Sequence, residues 1–229
     1  MKYLRKVEKE NDKYTIKYTP NLVLVNSTKK VLYNITPTSV FIQHINGTIY
    51  TTAEWTSCGF TSDDANGVAV IDDNARFVIA KEDLDNNKWS SDTKTTIAGI
   101  PNESSPGEAR KDYGGLNNTT LMLETDTSGA GYSCANYSFP NGQKGYLGAA
   151  GEWWVAYTHR DEIDEAMSVI GASPMNKGER HMGYWTSTQY PYSPANNAWT
   201  LEWRTDGSLW DGYGKSSIRP VRPFTTIEL

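Results

Sequence analysis

The sequence predicts an α+β fold with a short β-rich N-terminal extension, and three observations predict it. Short runs of β-branched and aromatic residues, alternating with polar ones, lie near both ends of the chain. Between them, residues 149–170 carry apolar residues at helical spacing. Asn-Gly and Asp-Gly pairs and prolines fall between the runs, where turns are needed.

The elements follow in chain order. Tyr14, Ile16 and Tyr18 alternate with polar neighbours and Leu22-Val23-Leu24-Val25 is a short apolar run, so residues 13–35 read as short strands punctuated by Pro20 and Pro37. A boundary is placed after Ser39. Residues 1–39 are too few to hold a core alone, and they read as an attachment or assembly segment that pairs with another chain or module. Residues 40–229 form the main domain. Val40-Phe41-Ile42 leads through an Asn46-Gly47 turn into Thr48-Ile49-Tyr50. Val68-Ala69-Val70-Ile71 and Phe77-Val78-Ile79-Ala80 are strand-like runs around Asp72-Asp73-Asn74. Residues 84–119 are a long polar excursion, and such loops are usually functional or mobile.

Two short helices are expected next. Trp153, Ala156 and Tyr157 mark the first. In the second, Asp161 is the expected N-cap, Ile163, Ala166, Met167 and Ile170 form the apolar stripe, and Gly171 is the stop. From Tyr184 the pattern returns to strands. Trp199, Leu201 and Trp203 share a face read as core, which sends Thr200, Glu202 and Arg204 to the surface. Asp206-Gly207 signals a hairpin, Ser208 to Gly214 returns, and the Pro-marked stretch Ile218 to Phe224 reads as an edge strand or closing segment.

Composition excludes several functions. The chain has 229 residues, 38% hydrophobic and 21% charged, which is ordinary for a soluble globular protein. Its net charge is -5 and no basic cluster exceeds pairs such as Lys29-Lys30, so nucleic acid is not an expected partner. No apolar run reaches transmembrane length, and residues 1–9 lack the apolar stretch of a signal peptide, so synthesis in the cytosol and no membrane insertion are expected. Cys58 and Cys134 allow one disulfide at most; the simpler reading is two reduced, buried thiols. Eight Trp and fourteen Tyr against five Phe favour either a β-rich core or an interface, since both rings join apolar area to a polar handle.

A set of motifs then occurs in order: Gly145-Tyr146-Leu147-Gly148, Gly151-Glu152-Trp153-Trp154, Tyr184-Trp185-Thr186-Ser187-Thr188-Gln189, Ala198-Trp199 and Arg219-Pro220-Val221-Arg222-Pro223-Phe224. Upstream, Glu54-Trp55, Ala65 to Ile71 and Phe77 to Glu82 add to it. In these the chain, over roughly residues 40–229, resembles the variable proteins of diversity-generating retroelements carried by phages and prophages of Bacteroides-type bacteria. The resemblance implies a C-type-lectin-like fold of the formylglycine-generating-enzyme type. It also implies a receptor-binding protein, made in the bacterial cytoplasm and carried on the phage tail tip or fibre end, whose variable region spans about 184–224. A bacterial cell-surface adhesin of the same fold is the alternative, and an enzyme relative of the formylglycine-generating type a further one.

In that family, reverse transcription rewrites adenines. An AAC-type Asn codon can then yield Asn, Asp, Ser, Gly, Tyr, Thr, Ile, Arg or Leu among others, but not Trp, Lys, Glu, Gln or Met. Tyr190, Tyr192, Ser193, Asn196, Asn197, Thr200, Arg204, Asp206, Ser208, Asp211, Tyr213, Ser216 and Ser217 belong to the reachable set. Gln189, Trp199, Trp203 and Lys215 do not, and they fall where a scaffold would be fixed. Glu202 and Trp210 are unreachable too and are read as fixed surface residues within the ligand-binding set. Mixed Tyr, Ser, Gly and Asn suit recognition of a bacterial surface protein or glycan, by rigid aromatic area with adaptable hydrogen bonding. Other virion tail proteins, through residues 1–39, and a homo-oligomer are the further expected partners.

Catalysis is not expected. Formylglycine-generating relatives need reactive cysteines in the C-terminal half of the domain, and Cys58 and Cys134 lie outside that segment. His159 and the pairs Asp161-Glu162 and Asp164-Glu165 read as helix-end partners. No metal-ligand His pair and no Glu-Pro-Asn or Trp-Asn-Asp sugar motif occurs. No cofactor is expected, and nothing specifies a structural cation, although carboxylates and carbonyls could hold one.

Overall fold

The computed structural model describes residues 3–10, 13–20, 38–175, 183–204 and 210–227. The expected strand at Leu22 to Val25 and the turn at Asp206-Gly207 lie outside them. The chain divides into two compact units, Met1–Ser39 and Val40–Leu229.

The first unit is an antiparallel ribbon of β1 (Tyr3–Glu10) and β2 (Lys13–Pro20), with Tyr3 opposite Pro20, Val7 opposite Ile16 and Glu10 opposite Lys13. The alternation of Tyr14, Ile16 and Tyr18 marks β2 in the sequence. In β1 the interspersed Arg5, Lys6, Glu8 and Lys9 hide the same period, so that strand was not expected.

The second unit is α+β, with antiparallel sheets and short helices. It opens with β3 (Val40–His44), β4 (Ile49–Tyr50) and α1 (Thr52–Cys58). Thr51 Oγ1 caps α1 by accepting from the Glu54 N–H at 3.2 Å, and Glu54 Oε2 accepts from the Thr51 N–H at 2.9 Å. Then come β5 (Ala65–Ile71), β6 (Arg76–Ile79), β7 (Leu84–Asn87), α2 (Pro106–Ala109), α3 (Gly115–Thr125) and α4 (Gly129–Asn136). The chain continues through β8 (Tyr146–Leu147), α5 (Ala150–Thr158), α6 (Arg160–Val169), β9 (Tyr184–Gln189), β10 (Asn197–Leu201), β11 (Trp210–Gly214), β12 (Arg219–Val221) and β13 (Pro223–Thr226).

The largest sheet runs β4-β3-β5-β6-β13-β8, and a second runs β11-β10-β9. The C-terminal Arg-Pro stretch is an edge only in its first half: β12 pairs with β7 alone, as a Pro-marked edge strand, whereas β13 lies inside the largest sheet, between β6 and β8. Proline is tolerated there because Pro223 is the first residue of its strand, where no ladder donor is needed, while its carbonyl still accepts from the Ala80 N–H at 2.9 Å.

Helices α5 and α6 supply the other wall of the core. Trp153 stacks on Tyr184 at 4.8 Å and meets Phe224 at 4.7 Å, and Ile163, Ala166, Met167 and Ile170 are all buried. Asp161 sits inside the first turn of α6 and is not its cap, because α5 ends at Thr158 and the next helix starts one residue past His159. Gly171 ends the stripe at φ +63°, a conformation costly for any residue with a Cβ. A second cluster joins Trp89, Met122, Cys134, Leu147, Trp185 and Val221. Part of the polar excursion is thereby folded: Trp89, Ile97 and Ile100 are buried.

The cysteines are both free, but only one is buried. Cys134 sits in the second cluster, where burial pushes its thiol far above the usual range. Cys58 is exposed, because it ends α1 beyond the turn that carries Trp55 into the core. Among the described residues no helix is long and apolar enough to cross a membrane.

Candidate functional site

The site is built on β9. All six residues from Tyr184 to Gln189 are buried, although four carry hydroxyls and one an amide. The polar groups are absorbed by fixed partners. Thr186 Oγ1 donates to the Trp199 carbonyl at 3.0 Å. Thr188 Oγ1 donates to Asp112 Oδ2 at 2.6 Å and accepts from the Ala150 N–H at 2.9 Å. The Trp185 indole donates to the Asn87 carbonyl at 2.9 Å, and the Trp89 indole to the Thr186 carbonyl at 2.7 Å.

Gln189, at the end of β9, is fully used. Its Nε2 donates to the Ile97 and Ile100 carbonyls at 3.0 and 3.1 Å. Its Oε1 accepts from the Ile97 N–H at 2.8 Å and from Lys215 Nζ at 3.1 Å. Lys215 Nζ also donates to the Thr95 carbonyl at 2.9 Å and lies 4.3 Å from the centre of the Trp89 ring. Burial lowers the Lys215 ammonium to about 8, against the opposing pull of Asp92. Gln189 and Lys215 thus fasten the 95–100 stretch to the ends of β9 and β11. Sequence reasoning missed this stretch as part of the site; its only signal was the length of the polar excursion.

Above this base the chain makes a tight turn. The Tyr190 N–H donates to the Asn197 carbonyl at 3.1 Å, the Asn197 N–H to the Ser193 carbonyl at 2.8 Å, and the Lys215 N–H to the Asn196 carbonyl at 2.7 Å. Asn196 Nδ2 donates to Ser193 Oγ at 2.8 Å. Tyr190 stands edge-on against Trp199 at 4.6 Å, with Tyr192 tilted beside it at 5.6 Å. Tyr192 is 81% exposed. Gly212 is required beneath Tyr190, because a Cβ there would come within 2.2 Å of its ring. Asn197, Ser216 and Ser217 gather around Gly214. Tyr190, Tyr192, Ser193, Asn196, Asn197, Ser216 and Ser217 therefore come together at one end of the β11-β10-β9 sheet. Tyr213 is half-buried, with the Arg219 guanidinium 3.5 Å from its ring centre. Arg204 lies past the opposite end of β10, where its carbonyl accepts from Tyr157 Oη at 3.0 Å. Asp206 and Ser208 lie outside the described residues; Trp210 and Asp211 pair through β11 with Leu201 and Thr200.

Two expected surface residues are not on the surface. Thr200 is 0% and Glu202 2% exposed. The alternation rule assumes one wet face, and β10 has none. It is the middle strand; Ala198 packs with Trp185, Trp199 with Ala109 and Ala150, and Leu201 with the main core. Glu202 is held between Leu201 and Trp203, both buried, the Trp203 indole donating to Asp164 Oδ1 at 3.1 Å.

Other polar groups are buried close to the site. Glu152 Oε1 accepts from Tyr146 Oη and Oε2 from the Ala149 N–H, both at 2.8 Å; burial pushes its carboxyl up to about 8. Arg222 Nε donates to Asp83 Oδ1 at 2.6 Å, and burial raises the Asp83 carboxyl against the pull of that guanidinium. Among the described residues no group of three or more His, Cys, Asp or Glu is arranged to hold a metal ion. Comparison with protein-family models, curated proteins and solved structures yields no match.

Proposed function

We propose that Val40–Leu229 is a C-type-lectin-like domain of the retroelement variable-protein kind, presenting a changeable ligand-binding surface at a phage tail tip or fibre end. The observation that carries this reading is the split in exposure along residues 189–217. Gln189, Trp199, Trp203 and Lys215, which adenine rewriting of an Asn codon cannot generate, are all buried. Tyr192, Asn196 and Ser216, which it can generate, are exposed, and Tyr190, Ser193, Asn197, Tyr213 and Ser217 are half-buried. Among the described reachable residues, Thr200 and Leu201 are fully enclosed in the middle strand β10.

The chemistry of the exposed set suits a protein or glycan on a bacterial surface. Tyr192, backed by half-buried Tyr190, offers a rigid ring with little rotamer entropy to lose, and the Asn and Ser groups adapt their hydrogen bonds to the ligand. Sequencing related genomes tests the diversification. Siblings differing at adenine-derived codons of residues 190–217, next to a reverse transcriptase gene and a template repeat, are expected. Siblings invariant there, or varying equally at Gln189 and Lys215, would overturn it. Recognition itself is tested by binding of the full chain to host cells, which Tyr192→Ala should weaken.

A further inference from the structure

We infer that the ligand surface continues from the 190–197 turn onto a platform of arginines and aromatic rings on α5, which fits the carboxylate or phosphate of an acidic polysaccharide. The Arg110 guanidinium lies over the Trp154 ring at 3.5 Å. Trp154 stacks on Tyr157 at 5.5 Å, and the Arg160 guanidinium lies over Tyr157 at 5.1 Å. Arg110, Trp154 and Arg160 are half-buried, and only Tyr157 is enclosed. Gly151, one turn before Trp154, lets residues 110–113 lie flat on α5: its N–H donates to the Asp112 carbonyl at 2.7 Å, and a Cβ there would come within 2.8 Å of Tyr113 Cδ1. The platform meets the changeable stretch twice. Ala109 packs with Ala150 and Trp199, against which Tyr190 rests, and Tyr157 Oη donates to the carbonyl of half-buried Arg204.

Charge and shape identify the occupant. Residues 40–229 hold 14 Lys and Arg against 24 Asp and Glu, so guanidinium groups gathered on one face stand out in an acidic domain and draw an anion to that place. Stacking on a ring restrains a guanidinium yet leaves the N–H groups at its edge to grip a carboxylate or phosphate at two points. Arg160 Nε already shares Asp161 Oδ1 at 3.4 Å, which makes Arg110 the principal grip. The platform holds rings and guanidinium groups but no aliphatic anchor for a peptide. A sugar acid offers a C–H face to a ring and its acid group to an arginine, and exposed rings stand at Tyr113 and Tyr192. This deepens the receptor-binding reading and rests on it. The turn would choose among polysaccharides, while Arg110 and Trp154, outside 184–224, would demand the acid group they share.

Affinity electrophoresis of the full chain tests this, in gels containing alginate for carboxylate, phosphomannan for phosphate, or neutral dextran. Retardation by alginate or phosphomannan but not by dextran is expected, and the gel that retards names the anionic group. R110A should raise the dissociation constant roughly tenfold or more. R110K keeps the charge but loses the fork, and should still raise it about threefold or more. K111A removes a neighbouring cation already paired with Glu108 at 2.7 Å, and should change the constant less than about twofold. No retardation in either acidic gel overturns the proposal, as does retardation indifferent to R110A and R110K, or weakened equally by K111A. Retardation by polyglutamate as strong as by alginate would also overturn it and assign the platform to an acidic protein. The two readings fail separately. Host-cell binding that needs Tyr192 but not Arg110 sinks the platform alone, whereas alginate binding that needs Arg110 but not Tyr192 upholds the platform and counts against the turn.

Discussion

Replacing Gln189 by Leu should cost far more than the loss of one polar side chain suggests. Leucine fills nearly the same volume but offers no hydrogen bonds. The Ile97 N–H, the Ile97 and Ile100 carbonyls and Lys215 Nζ would each lose a partner at 2.8–3.1 Å inside the protein. A buried group left unpaired costs about 1–3 kcal/mol. Lys215 keeps its bond to the Thr95 carbonyl, and the loop can partly relax. A total of about 3–5 kcal/mol is therefore expected, or a drop in Tm of roughly 10 °C for a domain of this size. Thermal and urea melts followed by circular dichroism would measure it, and hydrogen exchange should show residues 95–100 losing protection first. A cost below about 1 kcal/mol, or exchange in that loop unchanged, would refute the idea that Gln189 fastens loop to sheet.

Tyr192→Ala should leave stability within about 0.5 kcal/mol, because the ring is largely in water, while host-cell binding falls; a large drop in Tm would place it in the core. Trp203→Ala should cost about 3–5 kcal/mol by urea melts, since the ring is 1% exposed and meets both Trp153 and Tyr157; a neutral result would remove it from the core. Glu152 gives a pH signature. Its folded carboxyl is raised from 4.5 to about 8, so its contribution is fully present below 4.5 and is lost as pH rises through 8. Tm should fall between those limits by an amount worth up to several kcal/mol, and Glu152→Gln should flatten the profile; an unchanged slope in the variant would exclude Glu152 as the source.

Local signals in the sequence carried much of this fold. The helical stripe of Ile163, Ala166, Met167 and Ile170, the paired runs of β5 and β6, and the inward set Trp199, Leu201 and Trp203 follow from side-chain period alone. Where the period misled, the cause was a long-range covering that no local pattern encodes. Thr200 reads as solvent-facing until β9, β11, α5 and the Trp185 cluster close around it. The interior place of β13 depends on strands far back in the chain. The role of residues 95–100 was hidden because their backbone groups, not their side chains, engage Gln189. The exposure of Tyr192 could be inferred; the burial of Glu202 beside it in the chosen set could not.

The turn from Tyr190 to Asn197 is closed by main-chain atoms: the Tyr190 N–H on the Asn197 carbonyl, the Asn197 N–H on the Ser193 carbonyl, and the Lys215 N–H on the Asn196 carbonyl. Such bonds are indifferent to which side chains ride on the residues that make them, but not to how many residues there are. Substitution at Tyr192 or Ser193 can leave the loop's path intact, whereas adding or deleting a residue would shift every partner by one place. The segment is therefore built to change its letters while keeping its word length.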